Sequence, residues 1–590
     1  MSLKVKFLGA VDGVTGSCSL LHYERADSYY LVDCGMYQGF PGARERNRRP
    51  FDFVPARLSA VFLTHAHIDH CGLLPRLVQE GFDGKILCTK ATADLAVEAL
   101  MDSAQLEGLY TKGEVNKLRE MFSCPDSENP DFTFGYFYYI EQDLSYGFRR
   151  TAHVTGAVGV EFRFRSAPSQ ETTVLFSGDI GPATDDAAHG GLLKKRYYPN
   201  PSTDFLVVES TYGGRIRPPE TVRFDSRIEA LAEALRKAFD RGPKPIVLIP
   251  AFTMQRTQDL LADLHYVFTS VLPGNGMIPT VVVDSPLARG HTRHIRNELI
   301  RVRPNGKRFS LNDEAPLFAG KGREQTDALL NEIFDPTRAE RIIGEPGAQW
   351  QLVFGRNETF SAAGPVLRLS GSGTSLHGLI VKHLEAHLTN PEATVILTGY
   401  TPPGSPGEIL KRLMALPEAQ RGSTTVSVGN TSLRGCDVKA GVTDLSPFFS
   451  GHADQAGLVD FILRKDTDKP APPLTIFINH GDGNAKAALK QCVEEQAAKK
   501  LQGYRPLEQV YLPEPRGGWF HFVKRQWVAD SGGSAASAQM TEIQELLTRV
   551  LAQQQAILEI LKSRSRGKRR DKPPAIAEKE HPPAADEIDS

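Results

Sequence analysis

Cysteine is scarce in this chain. The seven residues Cys18, Cys34, Cys71, Cys88, Cys124, Cys436 and Cys492 are scattered, odd in number and without a C-x-x-C pair. That excludes a disulfide framework and a zinc site made of cysteines alone, and it fits a reducing compartment, so a cytoplasmic protein is expected. Long apolar runs are missing too, so no segment is expected to span a bilayer. The first residues, MSLKVKFLGA, pass straight into a strand-like pattern with no signal peptide. Net charge is nearly absent: 69 Lys and Arg against 70 Asp and Glu leave a formal −1. A polyanion would therefore have to be held by local basic patches and not by global attraction. What is present is the composition of a soluble globular protein, 41% hydrophobic and 24% charged, spread over 590 residues, which is too long for one ordinary core.

Texture divides the chain. Residues 1–215 read as short strands, among them SYYLVDCG, LSAVFLTH, TTVLFSGD and DFLVVEST, most of which stop at a residue able to bind a metal or move a proton. Residues 216–420 alternate helical and strand patterns (DSRIEALAEALRKAFDRG, PIVLIPAF, TQDLLADLHYVF, TVVVDSPLA), the signature of a parallel sheet with crossover helices. Short strands return over 421–530, where LTIFINHGDGNAKAALK again sets polar residues at a strand end. One domain interrupted by another is the organisation this predicts. Residues 531–590 hold a small-residue linker and then a basic and finally acidic tail. Between them, Met540, Ile543, Leu547, Val550, Gln554, Ile557 and Leu561 follow heptad steps. A helix over 540–561 is expected there, either pairing with a second copy or docking on the protein's own surface.

The densest chemistry is FLTHAHIDHCG, where His65, His67, Asp69 and His70 fall just after an apolar strand. Imidazoles and a carboxylate at H-x-H-x-D-H spacing are good ligands for zinc and similar metals. Burying four such groups without a cation would strand several polar atoms, so packing explains them poorly.

An ordered series of motifs resembles the metallo-β-lactamase fold hydrolases. Asp33 in LVDCG matches that family's first motif, and His65, His67, Asp69 and His70 match the second. His153 in RTAHVTGAVGV matches the third and Asp179 in FSGDIG the fourth. Glu209 in VVESTYGG, His452 in FFSGHADQ and His480 in FINHGD look like three further motifs of the β-CASP group of nucleases. PAFTMQRTQDLL, VVVDSPLA and ILTGYTPPGSPGEIL look like segments of its inserted domain. The resemblance implies an α/β fold: a metallo-β-lactamase αββα sandwich, interrupted by a β-CASP α/β domain and followed here by a helical tail.

It also implies two zinc ions. His65, His67 and His153 would hold one, Asp69, His70 and His480 the other, and Asp179 would bridge them. Two divalent ions about 3.5–4 Å apart can ionise a shared water at neutral pH and clamp phosphodiester oxygens during in-line displacement. His452 is the expected general acid for the departing sugar oxygen, with Glu209 holding it in its charged form. Asp69 and Asp179 then count as catalytic as well as metal-binding. In this family a histidine at the position of His480 goes with members that process RNA, so single-stranded RNA is the expected partner.

Arg256, Ser372 and Ser450 are candidate substrate contacts. The stretch Arg289 to Arg308, with seven Arg or Lys against the single acid Glu298, is a candidate phosphate-binding stripe. The sequence departs from the family's pattern at Ser372, where a Met is usual, at Leu379, near the place of an expected Arg, and at Ala157, where a Ser is common. A DNA nuclease of the same fold and a metallo-hydrolase of a small ester or thioester remain alternatives, since one fold hosts many chemistries. A scaffold that has lost activity is opposed by the complete ligand set.

Overall fold

Two kinds of apolar run become two kinds of sheet. LKVKF (Leu3–Phe7) buries alternate residues, whereas TVVV (Thr280–Val283), VLRLS (Val366–Ser370) and ATVIL (Ala393–Leu397) bury every residue. Continuous burial is what a parallel strand covered on both faces requires. The computed structural model describes residues 2–167, 170–182, 190–272, 279–335, 351–355, 365–465, 470–515 and 517–529. The linker, the heptad helix expected over 540–561 and the charged tail lie outside the described residues.

Within the compact unit Met1–Val528, two mixed sheets pack face to face. The first has eight strands, in the order Gln526–Val528, Trp519–His521, Leu3–Phe7, Ser19–Tyr23, Ser28–Val32, Leu58–Phe62, Lys85–Leu87 and Phe122–Ser123. The second has seven, in the order Leu507–Tyr511, Leu474–Ile478, Phe205–Val208, Gln170–Phe176, Val158–Ala167, Leu144–Arg150 and Tyr138–Glu141. An aromatic core that includes Phe7, Phe62, Phe162, Phe176, Phe205, Phe477 and Phe520 fills the space between them. Helices Gln455–Leu463 and Gly483–Ala498 cover the outer face of the seven-stranded sheet through Leu458, Phe461, Leu489 and Val493. Each sheet thus draws strands from both ends of the sequence, which is the interrupted organisation expected.

The interruption is a six-stranded, all-parallel sheet ordered Gln351–Phe354, Thr280–Val283, Val366–Ser370, Ile246–Pro250, Ala393–Leu397 and Gly441–Asp444. Its last strand pairs in register with Ala393–Leu397 through Thr394–Gly441 and Leu397–Asp444. The sheet therefore extends past residue 420, where the change of texture set the boundary. GVTD is too short and too polar to read as a strand until its neighbour supplies the hydrogen bonds.

Four strand ends converge on one edge of the sandwich by means of left-handed residues. Asp33 (φ 62°) follows Ser28–Val32, and Ala152 (φ 56°) follows Leu144–Arg150. Gly178 (φ 56°) follows Gln170–Phe176, and His480 (φ 50°) follows Leu474–Ile478. Non-glycine residues in that region cost of order 1–3 kcal/mol each and persist only where the surroundings over-determine them. Their recurrence at one edge marks it as the functional end of the fold. Among the described residues, no helix is long and apolar enough to cross a membrane.

Candidate metal centre and its catalytic neighbours

Strand Leu58–Phe62 delivers its ligands because the chain leaves it extended and then turns into the short helix Ile68–Cys71. Asp33 fixes that turn. Its Oδ1 accepts from the Thr64 N–H at 2.9 Å, and its Oδ2 accepts from the Thr64 hydroxyl at 3.1 Å and the Ser17 hydroxyl at 3.1 Å. Oδ2 also accepts from His70 Nδ1–H at 2.7 Å, which leaves His70 Nε2 as the ligand atom.

Two clusters result. In one, His67 Nδ1 lies 3.1 Å from both His65 Nε2 and His153 Nε2, and Asp179 Oδ2 lies 3.7 and 3.6 Å from those two Nε2 atoms. In the other, His70 Nε2 and His480 Nε2 face each other at 3.1 Å, with Asp69 Oδ2 at 3.9 and 3.6 Å from them. Asp179 Oδ1 sits 3.4 Å from His70 Nε2, so one carboxylate addresses both clusters. Tetrahedral zinc with bonds of about 2.0–2.1 Å holds its ligand atoms about 3.3–3.4 Å apart, and these spacings straddle that value.

A second observation agrees. Among the described residues, Asp179 Oδ1 is buried with no hydrogen-bond donor, an orphan that a cation would satisfy. Burial pushes His65, His67 and His153 below the ordinary histidine range, which keeps these rings neutral with lone pairs available. Burial also works against charge on His70 and His480, but Asp179 and the other nearby carboxylates outweigh it and raise both. Protons held there on account of negative neighbours are protons a divalent ion would displace. The residues fit a pair of divalent metals.

Close backbone contact sustains the arrangement. A Cβ at Gly35 would stand 1.7 Å from the Asp69 carbonyl oxygen, and one at Gly181 would stand 1.8 Å from that of Ala152. Gly35→Ala is therefore expected to push the Asp69–His70 turn off its position and to lower bound metal by about one equivalent per chain. Elemental analysis after desalting reads this directly, and full occupancy would contradict the packing account.

Beside the clusters, His452 Nδ1–H donates to Glu209 Oε1 at 3.2 Å. Glu209 is pinned in turn by the N–H groups of Ile180 at 2.6 Å and Thr211 at 3.1 Å. Burial disfavours charge on the His452 ring, but Glu209, with Asp179 and Asp69 behind it, lifts its pKa to about 9. His452 Nε2 has no protein partner among the described residues, and the side chain lines a cavity of about 670 Å³ that also reaches His67, Asp69 and His153. The arrangement sets a charged acid beside two candidate cation sites, in a cavity also lined by Phe252, Arg256 and Tyr400 of the inserted domain.

The predicted substrate contacts fare differently. Ser450 lines the cavity, but its hydroxyl braces the His452 backbone, accepting from the N–H at 3.2 Å and donating to the carbonyl at 2.7 Å. Arg256 also lines it, yet is buried, and its Nη1 donates to the carbonyls of Thr398 and Phe449. Its guanidinium ties chain segments together. Ser372 is half-buried, bonded to Thr374 Oγ1 at 3.0 Å, and outside the cavity lining. Three of the seven basic residues of the stripe are buried or half-buried and engaged by acids, while Arg289, Arg293 and Lys307 are exposed. Arg301 pairs with Glu298 and Asp126, Arg308 with Asp313 and Asp327, and Arg296 with Asp335. Spacing along the sequence did not reveal that acids elsewhere in the fold consume these charges.

Sequence reading also missed the supporting groups: Thr64 and Ser17 on Asp33, Thr211 Oγ1 beside His480 Nδ1 at 3.3 Å, and the Gly451 carbonyl accepting from His153 Nδ1–H at 2.6 Å. Only contact across the fold distinguishes such residues from ordinary polar ones.

Comparison with known proteins agrees with this geometry. The profile described as metallo-beta-lactamase superfamily matches residues 11–248, that of the Beta-Casp domain residues 257–410, and that of a Zn-dependent metallo-hydrolase RNA specificity domain residues 435–506. A ribonuclease of Thermus thermophilus is 31% identical over 78% of this chain and 90% of its own length. Transcription termination factor FttA of Methanosarcina mazei is 25% identical over 86% of this chain and 72% of its own. Cleavage and polyadenylation specificity factor 73 of Drosophila melanogaster is 24% identical over 85% and 64%, respectively.

Proposed function

Because the chain belongs to the metallo-β-lactamase superfamily, in its β-CASP branch of RNA-processing nucleases, we propose that it is a ribonuclease that hydrolyses phosphodiester bonds of single-stranded RNA with two zinc ions. The observation that carries this reading is Asp179. Its two oxygens address separate ligand clusters, and the His452–Glu209 pair stands beside them on the same cavity.

Bound at these clusters, the two ions would supply an ionised water and neutralise charge on the phosphodiester. The chain's own residues do the rest. Asp33 and Thr64 hold the His65–His70 turn, so the ligand atoms need little rearrangement. Glu209 keeps His452 oriented and protonated, with Nε2 free to give its proton to the departing sugar oxygen. The Tyr212 ring packs edge-on against the His452 ring at 5.4 Å between centroids and limits its rotation. RNA is the expected substrate in view of His480, the RNA specificity match over residues 435–506 and the named relatives.

The deciding experiment offers single-stranded RNA, the matched DNA and a generic ester to the zinc-loaded chain. RNA cleavage that a chelator abolishes is expected. Ester turnover with no nucleic-acid cutting would overturn the reading, and preferential DNA cutting would move it to the DNA alternative. RNA labelled at either end then separates release of single nucleotides from internal cuts.

A further inference from the structure

Most well-formed helices here begin with an ordinary cap. Thr89, Ser285, Ser405, Asp454 and Asp482 all sit in extended backbone and accept from an N–H in the first turn. Helix Arg256–Tyr266 begins otherwise. The residue before it, Gln255, has φ 65° and ψ −51° and makes no side-chain cap. The Arg256 N–H donates to the Met254 carbonyl at 2.8 Å, closing a three-residue γ-turn of the positive-φ kind, which is rare and strained. The conformation gives the helix no side-chain cap, so contacts elsewhere must hold a buried glutamine in it.

The side chain identifies what that is. Gln255 Oε1 accepts from both the N–H and the hydroxyl of Thr155, at 2.9 and 2.8 Å, across 100 positions of sequence. Its Nε2 donates to Asp259 Oδ1 at 2.9 Å, which fixes which end of the amide faces Thr155. Thr155 lies two residues after His153, in the loop that Ala152 turns with its left-handed φ. On its other side this loop is anchored by the hydroxyls of Thr89 and Thr92, which donate to the Gly156 carbonyl. The six-stranded domain reaches the loop through Gln255, and the chain returning from that domain reaches it through the Gly451 carbonyl on His153.

We infer that Gln255 is a positioning residue for the metal ligand His153: the inserted domain tolerates a strained turn so that one amide can clamp the ligand's loop from across the cleft. The inference rests on the reading of His153 as a ligand. Distortion of the insert, by substrate or by mutation, would then reach one metal site through this clamp while leaving the cluster of Asp69, His70 and His480 untouched.

Two variants of the full chain separate clamp from strain. Q255G removes the amide and relieves the turn, since glycine adopts positive φ freely. T155V keeps the turn and removes one of the two donors. With cobalt(II) as the probe, Q255G is expected to release one equivalent to a chelator ~10–100-fold faster than wild type, with an altered visible spectrum, and to keep the second equivalent. T155V is expected to move the same equivalent by less, and the double variant by no more than Q255G alone. The metal-free melting temperature of Q255G is expected to be unchanged or higher.

Wild-type cobalt release and spectrum in Q255G would overturn the inference alone. So would equal loss of both equivalents with a lowered melting temperature, which would mean general loosening. Should Q255G fail to fold, T155V decides: wild-type release there overturns the clamp. A wild-type chain that takes up no cobalt overturns the metal reading and this inference with it.

Discussion

Asp179→Ala is expected to abolish RNA cleavage and to lower metal content in the same preparation. The carboxylate stands within 3.4 to 3.7 Å of ligand atoms from both clusters, and its Oδ1 has no hydrogen-bond donor among the described residues. Its loss would take one oxygen donor from each side and the single negative charge they share, so ions left there would be under-coordinated and less screened from each other. Several kcal/mol of transition-state stabilisation are at stake, a fall of about 10³-fold or more in rate. The metal-free fold should survive, because a buried charge is expensive unless a cation compensates it. The check is elemental analysis alongside single-turnover cleavage and thermal unfolding of the apo form. Two equivalents retained at a wild-type rate would remove Asp179 from the centre of the mechanism.

His452→Ala is expected to behave in the opposite way with respect to metal. The residue is assigned to neither ligand cluster and bonds Glu209 through Nδ1, so zinc content should match wild type. Cleavage of RNA should fall about 10²–10⁴-fold, the range ascribed to positioned acid catalysis. A phosphodiester with a p-nitrophenolate leaving group, which departs without a proton, should lose far less. If both substrates fall equally, His452 is not the acid; if zinc falls with activity, it belongs to the metal centre.

The chemistry of the site was legible because its residues are types with few other uses at such density. His65, His67, Asp69 and His70 stand within one strand-to-helix turn, and the remaining ligands each stand at a strand end. The parallel insert was legible from the alternation of strand and helix patterns after residue 216. Other features were hidden for physical reasons. Whether the Arg289–Arg308 stripe meets water or Asp126, Asp313, Asp327 and Asp335 depends on tertiary pairing with no local signature. Arg256, a candidate substrate contact by sequence, is buried and gives its Nη1 to two backbone carbonyls. The strand Gly441–Asp444 has too little intrinsic preference to be seen without the partner that recruits it. Gln255 carries no chemical flag at all; its dihedral angles show its importance, and those exist only in the folded chain.

The strand Leu474–Ile478, wedged between Phe205–Val208 and Leu507–Tyr511, has a consequence for biosynthesis. His65, His67, His153 and Asp179 have all left the ribosome early, whereas His70 waits for a companion encoded 410 codons downstream. A chain that ended within the insert would lack both His480 and the Gly451 carbonyl that orients His153, so neither ligand cluster would be in place before the C-terminal strands arrive.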